Sequence, residues 1–340
     1  MSRTTLPKQF HDILGMGKTM IQMTYARFSD FIPRENILIV TNERYANLVR
    51  TQLPGIRDSE ILLETVGRNT GPCVAFAAFK IKQRDPEACI LVVGSDYLIR
   101  NVPNFLKDAA LGLDQARLEP VIVTLGIRPT RPDTGYGYIQ YIDRGKPEPF
   151  YKVKMFTEKP DLEMAKTFLR SGDFLWNSGM FIFSVPTIIE GFATHMPDLF
   201  EIFQLISADL DTEREQEAVR GAYEKCRNES IDLGIMEKAK NVFVIPSSFD
   251  WSDLGTWGSV YEQMDQDYVG NAVVGEVMAF DAANNLIQIS DPKKLVVLSG
   301  ISDCIVVDTG DVLLICKMEN EQQIRTIVSE VKKKFGNQLT

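Results

Sequence analysis

Short, unbroken apolar runs rich in β-branched residues constrain this chain more than any other feature. Cys89-Ile-Leu-Val-Val93 is the clearest, preceded by Asn36-Ile-Leu-Ile-Val-Thr41 and Ile61-Leu-Leu-Glu64. A strand that is apolar at every position, rather than at every second one, is covered on both faces. Between these runs lie stretches with helical spacing, at 18–28, 43–53, 72–82 and 103–116. Asn42 can cap the second of these, and Pro54-Gly55 end it. Strand and helix in alternation predict parallel strands joined by helical crossovers.

The alternation continues through a strand at 120–126, a glycine- and proline-rich loop at 128–137, and strands near 138–141 and 152–157. Helical spacing dominates 161–240, broken by a strand at 180–183. A strand at 242–246 then leads to a tryptophan-bearing loop and a short helix from about Leu254. After residue 268 the pattern changes. Short β runs follow one another at 272–277, 285–289, 295–299, 304–308 and 312–315, separated by turn formers such as Asp291-Pro292 and Gly310-Asp311. Regular short strands predict a small all-β unit built as a few solenoid rungs, closed by a helix at 319–335. The expected architecture is α/β: a Rossmann-like, mostly parallel sheet flanked by helices over 1–267, then a small β-helix-like domain and closing helix over 268–340.

Charge and composition exclude several functions. With 37 basic and 46 acidic residues among 340, the chain carries a net charge of −9, against non-specific nucleic-acid binding, which needs Lys and Arg to neutralise phosphates. No apolar run approaches the roughly 20 residues that span a bilayer, and no secretion signal is evident at the N-terminus. Five cysteines without a CxxC pair read as buried free thiols in a reducing cytoplasm. Two histidines, His11 and His195, leave little for a zinc site or a Ser-His-Asp triad.

Asp96 follows the best strand within Gly94-Ser95-Asp96-Tyr97. Ligands of open α/β sheets bind beyond the carboxyl ends of strands, and a carboxylate there suits a hard cation such as Mg²⁺; an N-cap explains it as well. Trp251-Ser-Asp253-Leu-Gly-Thr-Trp257 brings a second carboxylate to a strand end, again with a cap as the plainer account. In Asp133-Thr-Gly-Tyr-Gly137-Tyr-Ile139 the glycines permit close backbone approach, and a β-turn suffices. Arg68-Asn69-Thr70 precedes a helix, where free N–H groups and a guanidinium attract anions, or a capping turn forms. Glu158-Lys159 ends a strand, and Asn177 in Trp176-Asn-Ser-Gly179 can bond a polyhydroxy ligand or satisfy a turn. Asp209–Asp211 and Asp265–Asp267, in polar helix-flanking sequence, read as solvated.

Together these motifs resemble the mannose-1-phosphate guanylyltransferases of the short, monofunctional kind. The resemblance rests on Ser2-Arg3…Pro7-Lys8-Gln9-Phe10, Glu64…Arg68-Asn69-Thr70, Ser95-Asp96, Thr134-Gly-Tyr-Gly-Tyr-Ile139, Phe156-Thr-Glu-Lys-Pro160, Trp176-Asn-Ser-Gly179, Ser230-Ile-Asp-Leu-Gly-Ile-Met-Glu-Lys238 and Trp251-Ser-Asp-Leu-Gly-Thr-Trp257. It implies that Asp96 and Asp253 are Mg²⁺ carboxylates and that Lys8 neutralises phosphate charge. It also implies that Glu158, Lys159, Asn177 and the Gly137 backbone contact mannose 1-phosphate, and that Arg68, Asn69 and Thr70 line the guanosine nucleotide pocket. Asp232 and Lys238 match the pattern without a direct contact being implied. The C-terminal β unit resembles the small left-handed β-helix that supports dimers in this family.

The implied reaction is GMP transfer from GTP to mannose 1-phosphate in a cytoplasmic homodimer. The family pattern opens with a strand and a Gly-Gly-x-Gly-x-Arg-x-Trp-Pro loop around the triphosphate, which this chain is expected to lack. Gly94 and Thr65 stand where proline is usual, and Tyr97 where histidine is usual. The rival readings are a nucleotidylyltransferase for another base or sugar, and a non-catalytic sugar-nucleotide-binding protein or partner subunit. A second, mannose-6-phosphate-isomerising activity is not expected, because no metal-binding cupin module follows.

Overall fold

The computed structural model describes residues 3–143, 145 and 149–339; Ser2 of the first motif lies outside them. Along the chain run α1 (Met20–Phe28), β1 (Ile39–Asn42), α2 (Ala46–Gln52), β2 (Ile61–Glu64), α3 (Thr70–Arg84), β3 (Cys89–Val92), β4 (Leu98–Arg100), α4 (Val102–Leu118) and β5 (Ile122–Ile127). There follow β6 (Tyr138–Tyr141), β7 (Tyr151–Thr157), α5 (Leu162–Ser171), β8 (Phe174–Ser184), α6 (Val185–His195), α7 (Pro197–Ile206), α8 (Glu215–Lys225), a π-turn (Asp232–Met236), β9 (Val242–Pro246) and β10 (Asp250–Ser252). The last part holds α9 (Trp257–Gln263), β11 (Ala272–Val274), β12 (Glu276–Phe280), β13 (Leu286–Ile289), β14 (Leu295–Ser299), β15 (Cys304–Asp308), β16 (Leu313–Lys317) and α10 (Ile324–Phe335).

The chain divides into two compact units. The larger comprises Tyr25–Gly94 and Ile99–Trp251; the smaller comprises Met1–Thr24, Ser95–Leu98 and Ser252–Thr340.

In the larger unit a six-stranded sheet has the order β3-β8-β5-β9-β7-β6, and β1 pairs with β2 in parallel. β5 and β9 are parallel, whereas β8 lies antiparallel to both β3 and β5. β3, β5 and β9 share one direction, but β8 inserts between β3 and β5 against them, β7 lies antiparallel to β9, and β6 lies antiparallel to β7 and β8. The sheet expected to be mostly parallel is therefore mixed, with β5–β9 as its parallel pair. Unbroken apolar runs report cover on both faces, and β5 is buried at all six positions; they do not encode direction. β8 is longer than the strand read at 180–183, because its first half carries the polar and small residues Asn177, Ser178 and Gly179. The core beneath α3, α6, α7 and α8 is aromatic: Phe76, Phe79, Phe203 and Tyr223 are all buried, and the rings of Phe79 and Phe203 stack at 6.0 Å. Truncating a residue such as Phe203 to alanine there costs about 3–5 kcal/mol.

Asp211 corrects the expectation of a merely solvated Asp-x-Asp. It pairs with Lys80 at 3.0 Å and Arg84 at 2.7 Å, which ties α3 to the segment before α8. Lys80, whose side chain is only 5% exposed, also pairs with Glu215. Asp267 likewise serves structure: its Oδ1 accepts from the backbone N–H of Asn271 at 2.7 Å.

The smaller unit is a short β coil. β11, β13 and β15 stack in parallel, β12 pairs in parallel with β14, and β16 closes antiparallel to β15. The run read as one strand at 272–277 is two, because Gly275 turns the chain at φ 111°, a conformation that favours glycine. Inside the coil lie Ile287, Ile289, Leu298, Cys304 and Val306. Fully buried Asn285 bonds Asn271 Oδ1 at 3.0 Å and the carbonyl of Ile301 at 2.9 Å, and accepts from Cys304 N at 3.0 Å. This amide ladder satisfies backbone groups that would otherwise be buried without partners. The other side of the coil sheet, through Leu286, Ile305 and Val307, packs with Ile13, Met20, Leu98, Leu254 and Trp257. That apolar cluster brings residues 8–20, 95–98 and 252–257 together although they are distant in sequence. The closing helix begins with a 3-10 segment, Met318–Gln323, before α10.

Candidate active site

In the smaller unit the ammonium of Lys8 lies 2.8 Å from Asp96 Oδ2 and donates to the backbone carbonyl of Asp253. The Lys8 side chain is 14% exposed and that of Asp96 33%, so the charges are partly screened from water and interact more strongly than on an open surface. The Asp253 carboxylate accepts from Gly255 N at 2.9 Å. Next to it, Ser252 Oγ accepts from Leu254 N, and Thr256 caps α9 in a reciprocal box with Ser259. The three residues expected to carry chemistry are therefore brought together on one cation.

In the larger unit Gly137, Glu158, Lys159 and Asn177 also converge. Asn177 N donates to the Gly137 carbonyl at 2.8 Å, and Glu158 pairs with Lys159 at 2.7 Å. A Cβ on Gly137 would stand 2.5 Å from Glu158 Oε1 and 3.4 Å from Asn177 Cβ. A larger residue there would push the Glu158 carboxylate aside. Beside it, Tyr136 packs edge-on to Trp176 at 5.1 Å, and the Arg131 guanidinium lies over that indole at 5.4 Å.

Arg68, Asn69 and Thr70 form a further group in the same unit. Arg68 Nε donates to the Tyr223 carbonyl at 3.3 Å. Asn69 Oδ1 accepts from Thr70 N at 2.9 Å, and Gly71 N donates to the Glu229 carbonyl at 3.0 Å. The first two N–H groups of α3 are thus engaged by protein, and the capping function of Asn69 is realised.

Backbone strain marks both clusters. Among the described residues, eight non-glycine residues have positive φ, and all but Lys159 (42°) and Leu254 (47°) are Asn or Asp. Asn and Asp tolerate that region; other side chains are strained there by about 1–3 kcal/mol. Lys159 adjoins Glu158, and Leu254 adjoins Asp253. Asn69, at φ 68°, is the corresponding residue of the third loop.

Sequence reasoning gave no contact to Asp232, yet its Oδ1 accepts from Asn177 Nδ2 at 2.7 Å. The only available signal was its place in the Ser230–Lys238 motif. Among the described residues, no cluster of three or more His, Cys, Asp or Glu could hold a metal ion. Asp96 and Asp253, linked through Lys8 by the Asp96 carboxylate and the Asp253 backbone carbonyl, both carry hard carboxylate oxygens. That fits a divalent cation such as Mg²⁺, which takes one or two carboxylates and completes its shell with waters and substrate phosphates.

A mixed α/β sheet in one unit, and in the other a β coil beside a lysine and two aspartates, define a class of protein. The Nucleotidyl transferase family model matches residues 1–268, and the chain belongs to that family of enzymes. A second model, the MannoseP isomerase/GMP-like beta-helix domain, matches residues 275–331. The particular members it resembles are the mannose-1-phosphate guanylyltransferases: it is 34% identical over 338 residues to that of Escherichia coli and 36% identical over 346 residues to that of Salmonella montevideo. Each alignment covers 98% of this chain and 70% of the relative. A solved structure from Thermus thermophilus, described as a mannose-1-phosphate geranyltransferase, superposes with a TM-score of 0.86 at 29% identity, covering 97% of this chain and 94% of that one. Nucleotidyltransferases of this family generally use a divalent metal. No helix among the described residues is long and apolar enough to cross a membrane.

Proposed function

We propose that this chain transfers GMP from GTP to mannose 1-phosphate, giving GDP-mannose and pyrophosphate. The observation that carries the reading is the Lys8 ammonium held between the Asp96 carboxylate and the Asp253 carbonyl. A phosphate oxygen of mannose 1-phosphate attacks the α-phosphorus of GTP. As that P–O bond forms, the bond to the oxygen bridging to the β-phosphorus breaks, and its electron pair leaves with pyrophosphate. No protein nucleophile is needed, so the work falls to positioning, worth up to roughly 7–11 kcal/mol, and to charge neutralisation.

Lys8 supplies a fixed positive charge for the phosphates. Asp96 and Asp253 would hold Mg²⁺, which supplies further neutralisation of phosphate oxygens. Glu158, Lys159, Asn177 and the Gly137 backbone hold the sugar phosphate, while Arg68, Asn69 and Thr70 hold the guanosine nucleotide. The 1–267 segment acts as the catalytic domain and 268–340 as the coil domain; family models that end at 268 and begin at 275 support this division. The chain works in the cytoplasm, a reading supported by five free thiols and by bacterial biosynthetic relatives. It pairs as a homodimer, supported by exposed Leu313 and Ile315 on β16 and by α10, which has no buried residue.

The test is pyrophosphate release with mannose 1-phosphate and, in turn, GTP, ATP, UTP and dTTP. GTP is the expected substrate, and EDTA stops the reaction. Release with another nucleotide only would move the base specificity. No release with any would support the sugar-nucleotide-binding reading, which the relatives' names do not favour.

A further inference from the structure

The reaction leaves the stretch Ser230-Ile-Asp-Leu-Gly-Ile-Met-Glu-Lys238 without a task. We propose that Asp232 is a positioning residue that locks the Asn177 side-chain amide in one orientation, so that its remaining N–H points to an acceptor oxygen of the sugar phosphate. This rests on reading Asn177 as a contact to mannose 1-phosphate.

The lock has two halves. Asn177 Oδ1 accepts from Gly179 N at 3.0 Å, and Nδ2 donates to Asp232 Oδ1 at 2.7 Å. A half-turn of the amide would set its oxygen against a carboxylate and its NH₂ against an N–H, so both bonds enforce the same state. The amide nitrogen has two hydrogens; one is committed to Asp232, which leaves one for a ligand. The backbone of Asn177 is fixed as well, through its bond to the Gly137 carbonyl. Nothing about the amide's direction is left to chance.

Asp232 is itself built in. It opens the π-turn Asp232–Met236, a rare element that recurs at functional sites. The residues before it are pinned to the start of α3: Ile231 N donates to Thr70 Oγ1 at 3.0 Å, and Gly71 N to the Glu229 carbonyl at 3.0 Å. The segment 229–232 thus touches the nucleotide-side loop at one end and the sugar-side amide at the other. The Asp232 carboxylate spends its bond on an amide rather than on a cation. Burial, and to a lesser degree the nearby Glu158, raise its pKa, against the lowering effect of Asn177. A half-buried carboxylate is an unfavourable choice for packing alone, and the amide it holds is what it provides.

The experiment compares the full chain with Asp232→Ala and Asp232→Asn by steady-state kinetics, varying each substrate. Asp232→Ala is expected to raise KM for mannose 1-phosphate about tenfold, the size set by losing a hydrogen bond to a charged group. KM for GTP should stay within about twofold. Asp232→Asn can present its own Oδ1 to Asn177 and should restore most of the loss. Equal rises in both KM values, or an Asn variant as impaired as the Ala variant, would overturn the proposal. A second readout does not depend on turnover. The Asn177 side-chain NH₂ signals, identified by their loss in Asn177→Ala, should exchange slowly in the wild type and in Asp232→Asn, fast in Asp232→Ala, and shift on adding mannose 1-phosphate. If the wild type releases no pyrophosphate but shows this protected, ligand-responsive pair, the catalytic reading fails and the positioning of Asn177 stands. An unprotected pair in the wild type removes the positioning claim even if turnover is normal.

Discussion

Lys8, Asp96 and Asp253 in the smaller unit form a site made of full charges: an ammonium touches a carboxylate and a carbonyl from three separate parts of the chain. Gly137 and Asn177 in the larger unit bring shape and amides, a missing Cβ and an oriented carboxamide, to the Glu158–Lys159 ion pair beside them. Under the proposed function, the difference matches two tasks. Phosphoryl transfer develops charge that must be met by fixed opposite charge. A sugar offers hydroxyls, which are told apart by where donors and acceptors point. The two sites should therefore fail in different ways. Asp253→Asn keeps size and removes charge, and is expected to lower kcat about 100–1000-fold, the range for deleting one electrostatic contact to a transition state, while KM for GTP moves only a few-fold. Initial rates over a matrix of both substrates measure this. Comparable losses in kcat and in nucleotide affinity would break the comparison, because the carboxylate would then be binding the ground state.

The smaller unit's charged cluster stands on a coil held in part by an uncharged amide ladder. Asn285→Ala sharpens the separation between site and scaffold. It leaves the Ile301 carbonyl and the Cys304 N–H buried without partners, at about 1–3 kcal/mol per group. Stability in urea should fall by about 3 kcal/mol, with kcat and both KM values near wild type under folding conditions. A large kcat loss in the folded variant would mean that the coil does more than hold residues 8–20, 95–98 and 252–257 in place.

How much of this was legible in the sequence differs between the units for physical reasons. Unbroken apolar runs mark strands, so Ile61–Glu64, Leu295–Ser299 and Cys304–Asp308 have the bounds read from them. Burial does not always follow, since Leu295–Ser299 is largely exposed whereas Cys304–Asp308 is buried throughout. Direction is not encoded locally, and nothing in the local pattern announces the antiparallel insertion of β8 between β3 and β5. The first half of β8 was hidden because Trp176-Asn-Ser-Gly179 has loop chemistry, although its hydrogen bonds are those of a strand. The family resemblance implied Asp96 and Asp253 as partners on a divalent cation and Lys8 as a phosphate contact; that the Lys8 ammonium itself sits on Asp96 and the Asp253 carbonyl was not expected. Nor was the strain at Lys159 and Leu254, since nothing in either side chain announces a left-handed backbone. Asp232 escaped because its partner lies 55 residues away, beyond any local pattern.

Gly137→Ala tests the shape-based site directly. The new Cβ would come within 2.5 Å of Glu158 Oε1, so the carboxylate must swing away from its place beside Lys159. The expected result is a rise of about tenfold in KM for mannose 1-phosphate, equal to about 1.4 kcal/mol, with KM for GTP unchanged. Substrate-dependent kinetics again decide it. If kcat falls as steeply as in Asp253→Asn, the two sites do not divide the work as argued.

The smallest effect separates the units by how their ion pairs are buried. Asp211 in the larger unit and Asp311 in the smaller are both held at a pKa of about 2, the first chiefly by its hydrogen bond to Arg84 and then by Lys80, the second chiefly by Arg3. A carboxylate whose folded pKa is depressed stabilises the fold at pH values above its ordinary 3.8, and that contribution disappears as pH falls from about 4 toward 2. For Asp211 the shift corresponds to at most about 2 kcal/mol, and its partner Lys80 is 5% exposed, so replacing it leaves a buried ammonium short of one counter-charge. Asp311 is open to water and pairs with an Arg3 side chain that is 24% exposed, where screening removes most of the benefit. Asp211→Asn should therefore lower the melting temperature clearly at pH 7, with the gap to wild type closing between pH 4 and 2, whereas Asp311→Asn changes it little at any pH. Thermal melts across pH 2–7 measure both. Equal losses from the two substitutions would show that the depressed pKa alone, and not the burial of the partner cation, sets the contribution of such a pair.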